Sequence, residues 1–177
     1  MKYDFRLAAA MAAAVLVTMA AAAPAAAQRV SGMAQGQPVG GVSCDAQEGQ
    51  RIHIHQHLVI FDHGKEVSIP ANVGQVPSQR CLYWIHTHTP DGIIHIEAPQ
   101  DRSFTLGDFF NIWGQPLSRT VAATAQAAKG QALRVYVNGK RYTGDPRAIA
   151  LAPHADIVIE AGPPFPKPPV FTKWGPL

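Results

Sequence analysis

The stretch Ile52-His-Ile-His-Gln-His-Leu-Val-Ile-Phe61 decides the fold class. Ile52, Ile54, Leu58 and Ile60 fall on one side, and His53, His55, His57, Val59 and Phe61 on the other. That is the period-two pattern of a strand with one face towards a core. Asp62-His63-Gly64-Lys65 then reads as a turn, and Glu66 to Ile69 as the returning strand. Leu82 to His88 and Ile93 to Ala98 form a second hairpin around Thr89-Pro90-Asp91-Gly92. Asn138-Gly139, between Val135-Tyr136-Val137 and Lys140-Arg141-Tyr142, is a type I′ hairpin signal. Ile157 to Glu160 supplies a last strand.

One helix interrupts the strands. Thr105 caps it, Asp108 takes the third helical position, and Phe104 with Phe109 sit where a hydrophobic staple would. It carries Phe109, Phe110, Ile112 and Trp113 and stops near Gly114 and Pro116. The Ala-rich residues 117–129 fit a further helix or an ordered loop. The expected class is α+β, a mainly antiparallel sheet of β-hairpins with one short helix, in an order compatible with a β-grasp-like core.

The ends differ in composition from this middle. Lys2 and Arg6 precede an apolar run from Leu7 to about Ala23, and Ala25-Ala26-Ala27 forms a small-residue cleavage site before Gln28. Residues 1–27 therefore read as a secretory signal peptide. The run is short and mostly alanine, a poor fit to the roughly 20 apolar residues of a membrane anchor. Residues 28–43 read as a flexible leader, 44–162 as a single domain, and 163–177 as a Pro-rich C-terminal arm. The arm's Phe165, Phe171 and Trp174 are placed to lie across the domain surface.

Without Lys2, Asp4 and Arg6, 13 basic and 11 acidic residues remain, with no basic run. Nucleic acid is an unsuitable partner for that balance, and no later stretch spans a bilayer. The sequence implies no particular protein partner. The two cysteines, Cys44 and Cys81, lie outside any C-x-x-C, and an oxidising compartment makes a disulfide the default. A thiolate ligand or redox thiol is the alternative.

Seven of the eight histidines fall between residues 53 and 95. Six form two groups, His53-x-His55-x-His57 and His86-x-His88 with His95. Residues two apart on a strand face the same way, about 6.5–7 Å apart, so imidazoles from neighbouring strands can converge on one ion. The hairpin register decides whether His95 joins His86 and His88. A four-residue loop pairs His86 with His95 and puts Trp84, His86, His88, Ile93, His95 and Glu97 on one face. A three-residue loop would mix polar and apolar residues on both faces. Register follows burial, which favours the first. Such a face suits copper or zinc, with nickel or iron as further fits. Glu97 fits an acceptor behind the ligands or a general base. His63 and His154 read as solvated or hydrogen-bonded side chains.

Three resemblances bear on this. Cys81-Leu-Tyr-Trp-Ile-His-Thr-His88, Gly92-Ile-Ile-His-Ile-Glu97 and Phe104-Thr-Leu-Gly-Asp-Phe-Phe-Asn-Ile-Trp-Gly114 resemble segments of an uncharacterised family of exported bacterial proteins. That likeness spans about residues 51–165 and implies secretion and a shared domain, without an activity. The paired His-x-His strand and neighbouring histidine are similar in local geometry to carbonic anhydrases. His86-Thr-His88 and Pro90-Asp-Gly-Ile-Ile-His95 echo fragments of the two cupin metal motifs, which in cupins lie much further apart.

Three functions follow as expectations. The first is a secreted or periplasmic protein that captures or carries copper or zinc. The second is a metalloenzyme in which three histidines hold one ion with water at an open position. The third is a non-catalytic interaction module outside the cytoplasm. No nucleophile with its base, phosphate loop or carboxylate pair points to other chemistry.

Overall fold

The computed structural model describes Met1 and residues 32–175. The signal peptide expected over residues 1–27 lies outside the described residues apart from Met1. The strands run β1 (Cys44–Asp45), β2 (Ile52–Asp62), β3 (Lys65–Val67), β4 (Gln75–Val76), β5 (Cys81–Tyr83), β6 (Ile85–His86) and β7 (Ile93–Ala98). Helix α1 (Leu106–Trp113) follows, then β8 (Val121–Ala122), β9 (Ala125–Gln126), β10 (Arg134–Val137), β11 (Lys140–Tyr142) and β12 (Asp156–Ala161).

The main sheet has the order β11-β10-β12-β2-β7-β6, with β3 also paired to β2. All its neighbours are antiparallel except β12 and β2, which run parallel at its centre. The class is the expected α+β, and a central parallel pair flanked by antiparallel strands fits a β-grasp-like order. One face carries Leu58, Ile60, Ile85, Ile94, Ile96, Val135, Ile157 and Ile159, all buried in one core with Leu106, Phe109, Phe110 and Ile112 of α1. Burying each such side chain stabilises the fold by about 1.5–3 kcal/mol. The capping box closes as expected, the Thr105 side chain accepting from the Asp108 N–H and Asp108 from the Thr105 N–H.

Where residues 117–129 left helix or loop open, the structure has the small β8–β9 hairpin, turning through Ala123 at φ +51°. The strand expected over Leu82–His88 is broken at Trp84. Its first half joins β1 and β4 in a separate three-stranded sheet. Trp84 turns aside to donate its indole N–H to Asp45 at 2.6 Å. Cys44 and Cys81 form a disulfide in that small sheet, so neither is available as a thiolate.

The described parts of both flanking segments lie on the domain. Where a flexible leader was expected up to residue 43, the described part is docked. Ala34 N–H donates to Ile112 at 2.9 Å, the Arg102 guanidinium donates to the Gly41 carbonyl at 2.6 Å, and Val42 is fully buried. The C-terminal arm crosses the sheet face opposite α1. Phe165 lies against the Arg134 guanidinium, Phe171 stacks on His57 at 3.9 Å, and Trp174 stacks on His154 at 4.5 Å. Val59, Val158 and Glu160 point to that face and are nonetheless buried.

Candidate metal centre

The ladders build the site. Between β2 and β7, His53 pairs with Glu97, His55 with His95 and His57 with Ile93. Between β6 and β7, His86 pairs with His95, the register that the separation of polar from apolar residues favoured. His53, His55, His86, His95 and Glu97 therefore share the face away from α1. His88 arrives differently. The β6 ladder ends at His86 because Thr87 turns to the preceding loop, its N–H donating to Val73 at 3.0 Å and its hydroxyl to Pro70 at 2.9 Å. His88 is thus an exposed loop residue, yet its Nε2 lies 3.2 Å from His86 Nε2.

The residues form two donor sets that could each hold a metal ion, His53, His55, His95 and Glu97, and His86, His88, His95 and Glu97. Within each set the donor atoms lie within 4.8 Å of one another. Glu97 connects them. Its Oε1 is 3.2 Å from His53 Nε2 and 3.7 Å from His95 Nδ1, and its Oε2 is 3.8 Å from His86 Nε2. Glu97, expected behind the histidines, belongs to both sets.

Burial sets the protonation. Desolvation, with smaller contributions from neighbouring imidazoles, lowers the His55 pKa and takes His95 down to about 3. His86, fully buried, is lowered to about 4, again mainly by desolvation. These three rings are neutral near pH 7, the form that coordinates metal. His86 Nδ1 is 2.8 Å from the Tyr83 carbonyl. A neutral ring donating there leaves its lone pair on Nε2, towards His88 and Glu97. Desolvation and then the nearby Glu48 carboxylate raise Glu97 to about 7. His55 Nε2, His95 Nδ1 and Glu97 Oε2 are buried without a hydrogen-bond partner, and most buried polar groups have one.

Not every expected residue converges. His57 belongs to neither set. It sits where β12 meets β2, its Nδ1 3.0 Å from Asp156 Oδ1 and its ring under Phe171. His63 pairs with Asp62 at 2.8 Å. His154 stacks on Trp174, and its N–H donates to the His55 carbonyl at 2.7 Å.

Two residues gave no sequence signal. Glu48, in the loop before β2, lies 3.9 Å from His88 Nε2, and its carboxylate is near enough to Glu97 to help raise that group's pKa. Gln75 on β4 places its side-chain nitrogen 3.2 Å from His88 Nδ1. Both line a cleft of about 240 Å3 beside His88, along with Pro77, Arg80 and Leu82.

No protein-family model, curated protein or solved structure matches this chain.

Proposed function

We propose that this is a metal-binding protein working outside the cytoplasm, whose histidine–glutamate face captures or carries zinc or copper. The carrying observation is the convergence of five histidines and Glu97 into donor sets, three of whose buried donor atoms have no partner within the protein. Nitrogen donors from neutral imidazole with one carboxylate suit zinc and Cu(II), and less narrowly nickel or iron. Exposed His53 and His88 at the rim give an ion a route in and out. The resemblance to exported bacterial proteins, the N-terminal signal pattern and the disulfide support an oxidising location. Among the described residues no helix is long and apolar enough to cross a membrane.

A second reading, a zinc-type enzyme with water at an open position, is favoured by the cleft beside His88 and Glu48. The interaction-module reading expects the two histidine groups to lie apart, and here they meet at His95.

The test is elemental analysis and native mass spectrometry of the untagged chain purified from its exported form. Retained zinc or copper after desalting is expected, and His95→Ala, which removes a member of both sets, should reduce affinity at least 100-fold. Equal binding by that variant and the parent would refute the site.

A further inference from the structure

We propose that the site is a two-ion centre bridged by the Glu97 carboxylate, with one closed and one open lobe. This rests on the metal-binding reading above. The donors fall into two sets rather than one, and the sets meet at His95 and Glu97. The carboxylate's oxygens divide between them, Oε1 facing His53 and His95, Oε2 facing His86. A carboxylate so placed gives one oxygen to each of two ions.

One donor pair in each lobe has nearly the spacing of ligands on a common ion. Tetrahedral donors at 2.0–2.1 Å from zinc stand about 3.4 Å from one another. In the first lobe His53 Nε2 and Glu97 Oε1 are 3.2 Å apart. In the second His86 Nε2 and His88 Nε2 are also 3.2 Å apart. Each lobe holds its own unpartnered buried atoms, His55 Nε2 and His95 Nδ1 in the first and Glu97 Oε2 in the second.

The lobes differ in completeness. The first has four protein donors, His53, His55, His95 and Glu97, enough to close a tetrahedral site. His95 goes with it through Nδ1, the atom nearer to Glu97 Oε1. The second is left with His86, His88 and Glu97 and opens beside His88 into the cleft. Three protein donors with a fourth position free is the form in which zinc binds and exchanges a small ligand. Glu48, at the cleft wall 3.9 Å from His88, is placed to hydrogen-bond a water in that position.

Gln75 is the positioning residue of the open lobe. Its amide nitrogen faces His88 Nδ1, which puts the proton of a neutral His88 on Nε2, towards His86. An ion at the second lobe needs that proton on Nδ1 instead, and the Gln75 amide, which also donates to the Thr87 carbonyl at 3.1 Å, would give up that bond to present its oxygen.

The full mature chain is stripped with chelator, given excess Zn(II), desalted, and weighed by native mass spectrometry. Two zinc ions per chain are expected. His53→Ala and His88→Ala, both at exposed positions, should each retain one, and Glu97→Gln at most one. Far-ultraviolet circular dichroism checks each fold, with His53→Gln and His88→Gln replacing any variant that fails. A parent chain that takes one zinc, lost alike in the His53 and His88 variants, overturns the two-ion centre and leaves a single site. A parent that takes none overturns the metal reading as well.

Discussion

Acidifying the metal-free protein from pH 8 to pH 5 sets two opposing effects against each other. Folding lowers His86 to about 4 and His95 to about 3. Below about pH 6.5 the unfolded chain binds protons that the folded one refuses, so stability is present above that pH and falls as the pH drops. At about 1.4 kcal/mol per pH unit for each group, the two rings together lose about 4 kcal/mol by pH 5. Glu97 acts the other way. Its pKa, raised to about 7, makes the folded state the better proton acceptor between about 4.5 and 7, returning about 2.5 kcal/mol by pH 5. From these three groups the parent should lose about 1.5 kcal/mol. Glu97→Gln keeps the shape and removes the titration, so it should lose about 4 kcal/mol over the same range. Urea unfolding at half-unit pH steps in chelator-treated buffer measures both curves, and groups elsewhere cancel in their difference. The variant should be the more stable at pH 8, with the advantage shrinking steadily towards pH 5. Parallel curves would show that Glu97 is not desolvated as the structure has it, and a variant that gains stability in acid would refute the burial of His86 and His95.

Two stability tests bear on the scaffold. Gly92 adopts φ +79°, and a Cβ there would meet the Leu58 carbonyl oxygen at 2.4 Å. Gly92→Ala should therefore cost about 2–4 kcal/mol, combining left-handed strain with displacement of the His86–His95 hairpin. Thermal unfolding reads the loss, and an unchanged midpoint would contradict the close approach. The disulfide closes a separation of 37 residues, worth about 4 kcal/mol in the chain-entropy model. Cys44→Ser with Cys81→Ser should lower stability by that order, measured by urea unfolding, while zinc stoichiometry stays the same because neither sulfur is a ligand.

Much of the sheet was legible because its signals are local. The alternation of Ile52–Phe61, the Asn138–Gly139 turn and the Thr105–Asp108 capping box each specify backbone geometry within a few residues. The His86–His95 register was legible for a different reason, since only one pairing keeps Ile85, Ile94 and Ile96 together on the buried side. What local pattern could not carry was the partner of each strand's second edge. The alternation that puts His57 with His53 and His55 is correct, but β12 arrives beside that end of β2 and gives His57 to Asp156. The break at Trp84 depends on Asp45, 39 residues away. Glu48 is a single carboxylate in a Gln- and Gly-rich loop, and only the folded chain brings it to Glu97 and His88.

The face opposite α1 is costly as it stands. It buries Glu97 and His86 and leaves His55 Nε2, His95 Nδ1 and Glu97 Oε2 unpartnered, and beyond them both Glu160 oxygens, each such group costing about 1–3 kcal/mol. An apolar replacement at these positions would relieve that cost, as it does at Ile93 on the same face of β7. A ligand that binds only the folded state offsets it, by about 2.7 kcal/mol at one hundred times its dissociation constant. The ladders of β2, β6 and β7 keep most donors in place before any ion arrives, so little ordering entropy is spent on binding. That gain is pH-dependent, because ion and proton compete for the same lone pairs. Stabilisation by zinc should accordingly be greatest above pH 7 and fade towards pH 5.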